Sequence, residues 1–190
     1  MTDSTAESSS HSRARTTGLI YFLYFLTAIS GQMLLNRGFA RSGLGVSLLG
    51  TVFYTILAVL FYWLFKPVNR TLSLIAALIS LTGCVITALA QLHLALENVS
   101  PLIFFGPYCL LLGYLILRSE FLPRFLGVLM ILAGLGWLIA LRLPQESRVL
   151  SYVEGVGILA EGLLMLWLLV LGVNEQRWQR QAGASLPKRT

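Results

Sequence analysis

Charge is scarce in this chain. Only 12% of its 190 residues are Asp, Glu, Lys or Arg, against 56% that are hydrophobic, which leaves too little polar surface to cover a soluble domain. Histidine is nearly missing: His11 and His93 are the only two, and His11 sits in a polar tail, so no metal-ligand set can be assembled. Cysteine is equally rare. Cys84 and Cys109 both fall inside apolar runs at similar depth; a disulfide can be drawn between them, although buried free cysteine is a common small hydrophobe. Alternating strand patterns, internal repeats, paired broken helices and phosphate-binding glycine loops are also absent, which argues against a β-barrel, a repeat array, an inverted-repeat transporter and a nucleotide enzyme.

What is present is hydrocarbon. Mean hydropathy is +0.77, and six apolar segments of membrane-spanning length run along the chain, near Gly18–Asn36, Leu44–Phe65, Thr71–Leu96, Pro101–Leu117, Arg124–Leu141 and Val149–Val173. A bilayer core needs about 20 apolar residues per helix, and helices satisfy their own backbone polar groups. The expectation is an all-α polytopic membrane protein, a six-transmembrane-helix bundle with a disordered polar tail at 1–17, a membrane domain at 18–173 and a basic C-terminal tail at 174–190. The run from Gly18 lacks a small-residue cleavage pattern and is read as a retained first helix. Short connections such as "KPVNR" and "ENVS" make successive helices antiparallel neighbours. Ser100 is a natural N-cap for the fourth helix, and Pro107 should kink it. Asn98 heads a sequon, but proline follows it in a very short turn, against glycosylation.

Basic residues set the orientation. Arg13, Arg15, Lys66, Arg70, Arg118, Arg124, Arg177, Arg180, Lys188 and Arg189 fall on one side, and Arg37, Arg41, Arg142 and Arg148 on the other. Ten against four places both termini in the cytoplasm of a cell (inner) membrane. The net charge of +6 is then accounted for by loops facing anionic lipid headgroups. Because these residues are dispersed, no nucleic-acid partner is implied.

Polar residues are distributed unevenly in depth. Gln32, Thr51, Tyr54, Gln91, Tyr108 and Glu154 fall toward the outer side and Glu161 near the midplane, while the cytoplasmic halves are mainly Leu, Ile, Phe and Val. Ser47, Thr51, Tyr54 and Ala58 share a helical stripe, as do Ser80, Cys84, Thr87 and Gln91. Such stripes ordinarily mean close helix packing. Tyr21, Tyr152, Trp63, Trp137 and Trp178 read as interfacial anchors. Trp167 reads as packing. His93 and Glu97, four residues apart, suggest an interfacial hydrogen bond rather than a metal site. Glu154, Gly157 and Glu161 share one face, the glycine leaving space beside two carboxylates.

Glu161 is the residue hardest to explain as packing. An ionised carboxylate near the midplane costs at least a few kcal/mol, so it should face the bundle and be protonated or hydrogen-bonded. Three functions are compatible with it. One is a protein that binds or carries a small or amphiphilic molecule in an outward-facing polar cavity, with Glu161, Glu154, Tyr108, Gln91, Tyr54, Thr51 and Gln32 as ligand-binding residues. The others are an intramembrane enzyme using Glu154 and Glu161 as acid and base, and an assembly subunit of a membrane complex. The enzyme lacks an evident nucleophile, metal set or phosphate loop, no catalytic residue is assigned, and no motif names a cofactor. Binding is the preferred reading.

The stretch "PLIFFGPYCLLLGYLILRSEFLPRFLGVLMILAGLGWLI", with "KPVNRTLSLIAA" before it and "LAEGLLMLWLLVLGVN" after it, resembles a bacterial family of multi-pass membrane proteins catalogued only as a domain of unknown function. The resemblance implies pattern positions at Gly106, Gly113, Tyr114, Arg118, Ser119, Leu122, Pro123, Arg124, Gly127 and Glu161, and no reaction. Pro107 and Tyr108 depart from the leucine and histidine common in that pattern. From the residues themselves, Arg118 and Arg124 bracket a tight turn closed by Pro123 and can hold anionic headgroups.

The orientation is testable in intact cells. Tags on either terminus should be protected from external reagents, whereas labels at Arg37–Gly43 should react; external labelling of either terminus overturns it.

Overall fold

The computed structural model describes residues 3–94, 99–144 and 147–184. Among these residues there are seven helices and no strand: α1 (Asp3–Asn36), α2 (Ala40–Phe65), α3 (Arg70–Gln91), α4 (Leu102–Arg118), α5 (Arg124–Ala140), α6 (Arg148–Val170) and α7 (Glu175–Ala184). Four helices are long and apolar enough to cross a membrane: Ala14–Asn36 of α1, then α2, α3 and α6. α4 and α5 are shorter apolar helices of 17 residues each, about 25 Å at 1.5 Å per residue. Large apolar side chains cover the outside, among them Ile29, Val52, Leu78, Leu132 and Val170. An exterior of that kind suits lipid and not water, and marks a membrane protein.

The ends of the helices differ from the sequence expectation for local reasons. α1 is helical from Asp3, where a disordered tail was expected; no glycine or proline interrupts the chain before Gly18, so helix propagates backward from the apolar segment. Gly38, at φ +84, turns the chain so that α2 starts at Ala40, four residues early. α3 stops at Gln91, shorter than expected. His93 beyond it lies at φ 53; its expected partner Glu97, like Asn98, lies outside the described residues. Asn69 caps α3 through its side chain, accepting from the Leu72 N–H at 3.0 Å. Ser100 accepts from the Leu102 N–H at 3.4 Å, although the helix proper starts after Pro101. α4 continues across Pro107.

α7 stands where the polar composition of residues 174–190 predicts a tail. Its Trp178 indole N–H donates to the Leu64 carbonyl at 3.0 Å, one of the last-turn carbonyls of α2 that the helix itself leaves without a donor. Gln181 donates to the Arg118 carbonyl (3.2 Å) and accepts from the Glu120 N–H (3.3 Å), and Arg177 donates to the Glu120 carbonyl (3.3 Å). The helix is thus fastened across the basic end of the bundle, where the α2–α3 and α4–α5 turns lie. Trp178 is held by a specific carbonyl rather than serving only as an interfacial anchor.

α1 to α6 form a closed ring in which each packs on its chain neighbours and α6 returns to α1. The best-buried side chains, including Leu57, Phe65, Leu112, Ile116, Met130 and Leu168, all lie in the half of the ring toward the basic end. α4 and α5 approach through reciprocal glycines. A Cβ at Gly113 would stand 2.7 Å from the Gly127 carbonyl oxygen, and one at Gly127 would stand 2.8 Å from that of Gly113. Gly106 and Gly134 repeat the arrangement at 3.2 and 2.9 Å. Backbone contact of this kind maximises dispersion where lipid supplies no hydrophobic drive.

Gly127→Ala should therefore cost about 1–3 kcal/mol by forcing the two backbones apart, while Gly162→Ala, which meets open space, should be neutral or slightly stabilising. Thermal melts in detergent check this, and equal effects at both positions would refute the packing argument.

Candidate functional site

The site begins where α6 closes onto α1. A Cβ at Gly18 would stand 2.5 Å from the Leu169 backbone nitrogen and 2.8 Å from the Leu168 carbonyl carbon, so only glycine lets the two helices meet there. One turn further along α1, the Tyr21 hydroxyl donates to Glu161 Oε2 at 3.1 Å. Both residues are buried, 2% and 5% exposed. The Glu161 carboxyl therefore faces the bundle and is hydrogen-bonded, as its desolvation cost requires. Tyr21, expected as an interfacial anchor, is instead its partner; α1 begins well before Gly18, which carries Tyr21 deeper than a span starting at Gly18 would.

A chain of aromatic rings leads away from this pair. Tyr21 lies 6.2 Å from Tyr24, Tyr24 lies 4.7 Å from Tyr54, and Tyr54 lies 6.0 Å from Phe105 and 6.2 Å from Tyr108. Phe105 reaches Trp137 at 5.6 Å. The rings run from α1 through α2 and α4 to α5, joining four helices by edge and tilted contacts that add to area burial.

Beside these rings lies a cavity of about 690 Å³ to which all six helices of the ring contribute, within the range typical of small-molecule sites. It extends from Glu161 and Tyr24 toward Gln32, Met33 and Asn36, away from the basic end. Five of the residues singled out from the sequence line it: Gln32, Thr51, Tyr54, Tyr108 and Glu161. Gln91 does not, but its Oε1 stands 3.4 Å from Thr51 Oγ1, behind the wall. Glu154 is exposed on α6 and takes no part in the wall. The space expected beside Gly157 is filled: a Cβ there would meet the Trp137 indole at 2.6 Å. Trp137 is thus a wall residue, 9% exposed, and not an interfacial anchor.

Among the described residues, three buried polar atoms of residues that line the cavity have no hydrogen-bond partner: Ser80 Oγ, Tyr108 Oη and Trp137 Nε1. Ser80 and Tyr108 are each 4% exposed. Buried polar groups are nearly always satisfied, and an unsatisfied one carries a desolvation cost of about 1–3 kcal/mol. That all three belong to residues of one cavity wall is the chemical signature of the site. Sequence reading placed Ser80 on a polar stripe and Tyr108 at the outer side, but it missed Trp137 and Tyr24. Nothing within α1 or α5 taken alone marks them, because their place in the wall depends on which helices touch.

Among the described residues, no three His, Cys, Asp or Glu side chains are grouped to hold a metal ion. Cys84 and Cys109 are both free and buried; Cys84 lines the cavity and Cys109 does not. Glu161 has a tyrosine for its partner and Glu154 lies off the cavity, so the structure does not bring together the two carboxylates considered as an acid–base pair.

The Tyr21–Glu161 bond can be measured by a double-mutant cycle of Tyr21→Phe and Glu161→Gln. A coupling of roughly 0.6–1.7 kcal/mol is expected for a hydrogen bond inside a helix bundle, and additive effects on the melting free energy would show that the bond contributes nothing. Glu161→Lys should fail to fold.

Residues 87–172 match a family model described as "Domain of unknown function (DUF4386)". The matched region holds Tyr108, Trp137 and Glu161, whereas Tyr21, Tyr54 and Ser80 precede it. An uncharacterized protein of the archaeon Archaeoglobus fulgidus is 32% identical over 124 residues, covering 60% of this chain and 74% of the relative. No solved structure matches the chain. On the family match together with the length and identity of the archaeal alignment, the chain belongs to the DUF4386 family of domains of unknown function.

Proposed function

We propose that this protein spans the cell (inner) membrane six times with both termini in the cytoplasm, and that it binds, and in some state carries, a small or amphiphilic molecule in the cavity beside Glu161. The ten-to-four distribution of basic residues supports the orientation. The apolar outer faces of α4 and α5, with Val128, Leu132 and Ile139 exposed, support counting them as spans. In that orientation the cavity opens outward. Lys66, Arg70, Arg118 and Arg124, with Arg177 and Arg180 of α7, face the cytoplasmic headgroups, whose anionic lipids are the expected surface partners.

The observation that carries the binding reading is the coincidence of three unpartnered polar atoms with a single cavity wall. Packing alone explains a polar stripe by hydrogen bonds between helices, and Ser80, Tyr108 and Trp137 make none. A ligand that supplies partners at this depth would remove their cost, and an apolar cavity with a few converging polar groups suits recognition of that kind. The enzyme reading loses its second carboxylate, since Glu154 is outside the wall.

The test is thiol accessibility in a background of Cys84→Ser and Cys109→Ala. Single cysteines at Gln32, Thr51 and Thr87 should react with a membrane-impermeant reagent added from outside, and those at Ala58 and Met165, both buried outside the wall, should not. Uniform protection would sink the reading and return Glu161 to a structural hydrogen bond within an assembly subunit.

A further inference from the structure

The seams between helices are not all alike in the half of the ring that holds the cavity. α1 meets α2 where a Cβ at Gly31 would stand 2.6 Å from Ser47 Oγ. α2 meets α3 through Thr51 and Gln91. A Cβ at Gly83 would stand 3.2 Å from Phe104 at the α3–α4 seam, Gly106 meets Gly134 and Leu138 at the α4–α5 seam, and Gly157 meets Trp137 at the α5–α6 seam. The sixth seam differs. Gly18 and the Tyr21–Glu161 bond close α1 against α6 only from the basic end to the midplane.

Beyond that point the two helices border the cavity with side chains that are also open to the outside. Ile29, two turns outward from Tyr21, is 62% exposed, and Ile158, one turn outward from Glu161, is 55% exposed; Met33 is 53% exposed. All three line the cavity. A residue that both lines an interior and is exposed stands at an edge. This edge is apolar and lies within the belt of exposed hydrophobic side chains, so it opens toward lipid rather than water.

The wall also restricts the charge of what enters. Among the described residues no Lys, Arg or His lines the cavity, so an anionic head would be desolvated with no counter-charge. Trp137 Nε1 can only donate. A cationic head placed there would set positive hydrogens against a positive N–H, whereas a neutral carbonyl, ether or hydroxyl oxygen would accept from it. Ser80 and Tyr108 can donate to such oxygens or accept from a hydroxyl. Flanking rings of Tyr54, Phe105, Tyr108 and Trp137 favour a flat head, by offset or edge contact.

Building on the binding reading above, we propose that the ligand is an uncharged amphiphile dissolved in the membrane. Its flat, oxygen-bearing head sits among Ser80, Tyr108 and Trp137, and its hydrocarbon tail passes between the outer halves of α1 and α6 into the surrounding lipid. Quinones, quinols and ring alcohols with aliphatic chains form this chemical class.

The experiment uses the full chain in lipid nanodiscs, with a short-chain prenyl benzoquinone as probe and an alkyltrimethylammonium and an alkyl phosphate of matched chain length as competitors. The quinone should bind saturably and the two ions should bind at least tenfold more weakly. Trp137→Phe and Ser80→Ala should each raise Kd about threefold to tenfold, the range expected for loss of one hydrogen bond. Ile29→Trp with Ile158→Trp, both at exposed positions, should slow association at least threefold while a cysteine at Thr87 stays reactive to the impermeant thiol reagent. Preference for either ion, or no binding of the quinone, overturns the head class. An unchanged association rate overturns entry from the side. These failures are distinguishable from failure of the binding reading itself, because that reading falls only if the cavity cysteines are protected.

Discussion

The return of α6 onto α1 is the contact on which the rest of the molecule depends. Five of the six seams in the ring join helices consecutive in sequence, which short turns would bring together in almost any bundle. The sixth joins helices 140 residues apart at Tyr21 and Glu161, and it rests on Gly18, where a single methyl group would collide with the backbone of Leu168 and Leu169. Without it there is no ring and no enclosed volume, only a row of helices. The same contact gives the buried carboxyl its hydrogen-bond donor. Closure and the satisfaction of Glu161 are one event.

Packing within the ring is divided along the membrane normal. Toward the basic end, branched and aromatic side chains interlock and the bundle is solid, with α7 fastened across it through backbone carbonyls of α2 and the α4–α5 turn. Toward the other end, small and polar side chains on α2 and α3 leave room, and aromatic rings from α1, α2, α4 and α5 line it instead of filling it. The glycines work differently in the two settings. Gly113 and Gly127 bring two backbones into contact, while Gly157 makes room for the Trp137 indole against α6.

Several features were legible in the residues before any coordinates. Six apolar segments, a polar half of the bundle away from its basic end and the inward face of Glu161 follow from hydropathy, spacing and desolvation cost, and Gln32, Thr51, Tyr54, Tyr108 and Glu161 line one cavity. Gln91 and Glu154 do not. Gln91 continues the polar stripe of α3 yet stands against Thr51, and Glu154 shares a helical face with Glu161 yet is exposed, the Trp137 indole filling the space at Gly157 between them. Tyr21 and Trp137 were misjudged in the opposite sense: nearness to a span end suggested an interfacial role, but the neighbouring helix covers each of them.

By itself the sequence determined the solvent. A chain with so little charge and so much continuous apolar length has to satisfy its backbone internally and face lipid, whatever its detailed packing, and family membership is written in the linear pattern of its fourth to sixth helices. The tertiary structure alone decided the partners. Which hydroxyl meets Glu161, which polar atoms are left without a bond, and which seam stays open all depend on the rotation and pairing of helices distant in sequence. Those are set by steric contacts of single glycines rather than by hydropathy, and a periodic pattern records only that a face is buried, not what buries it.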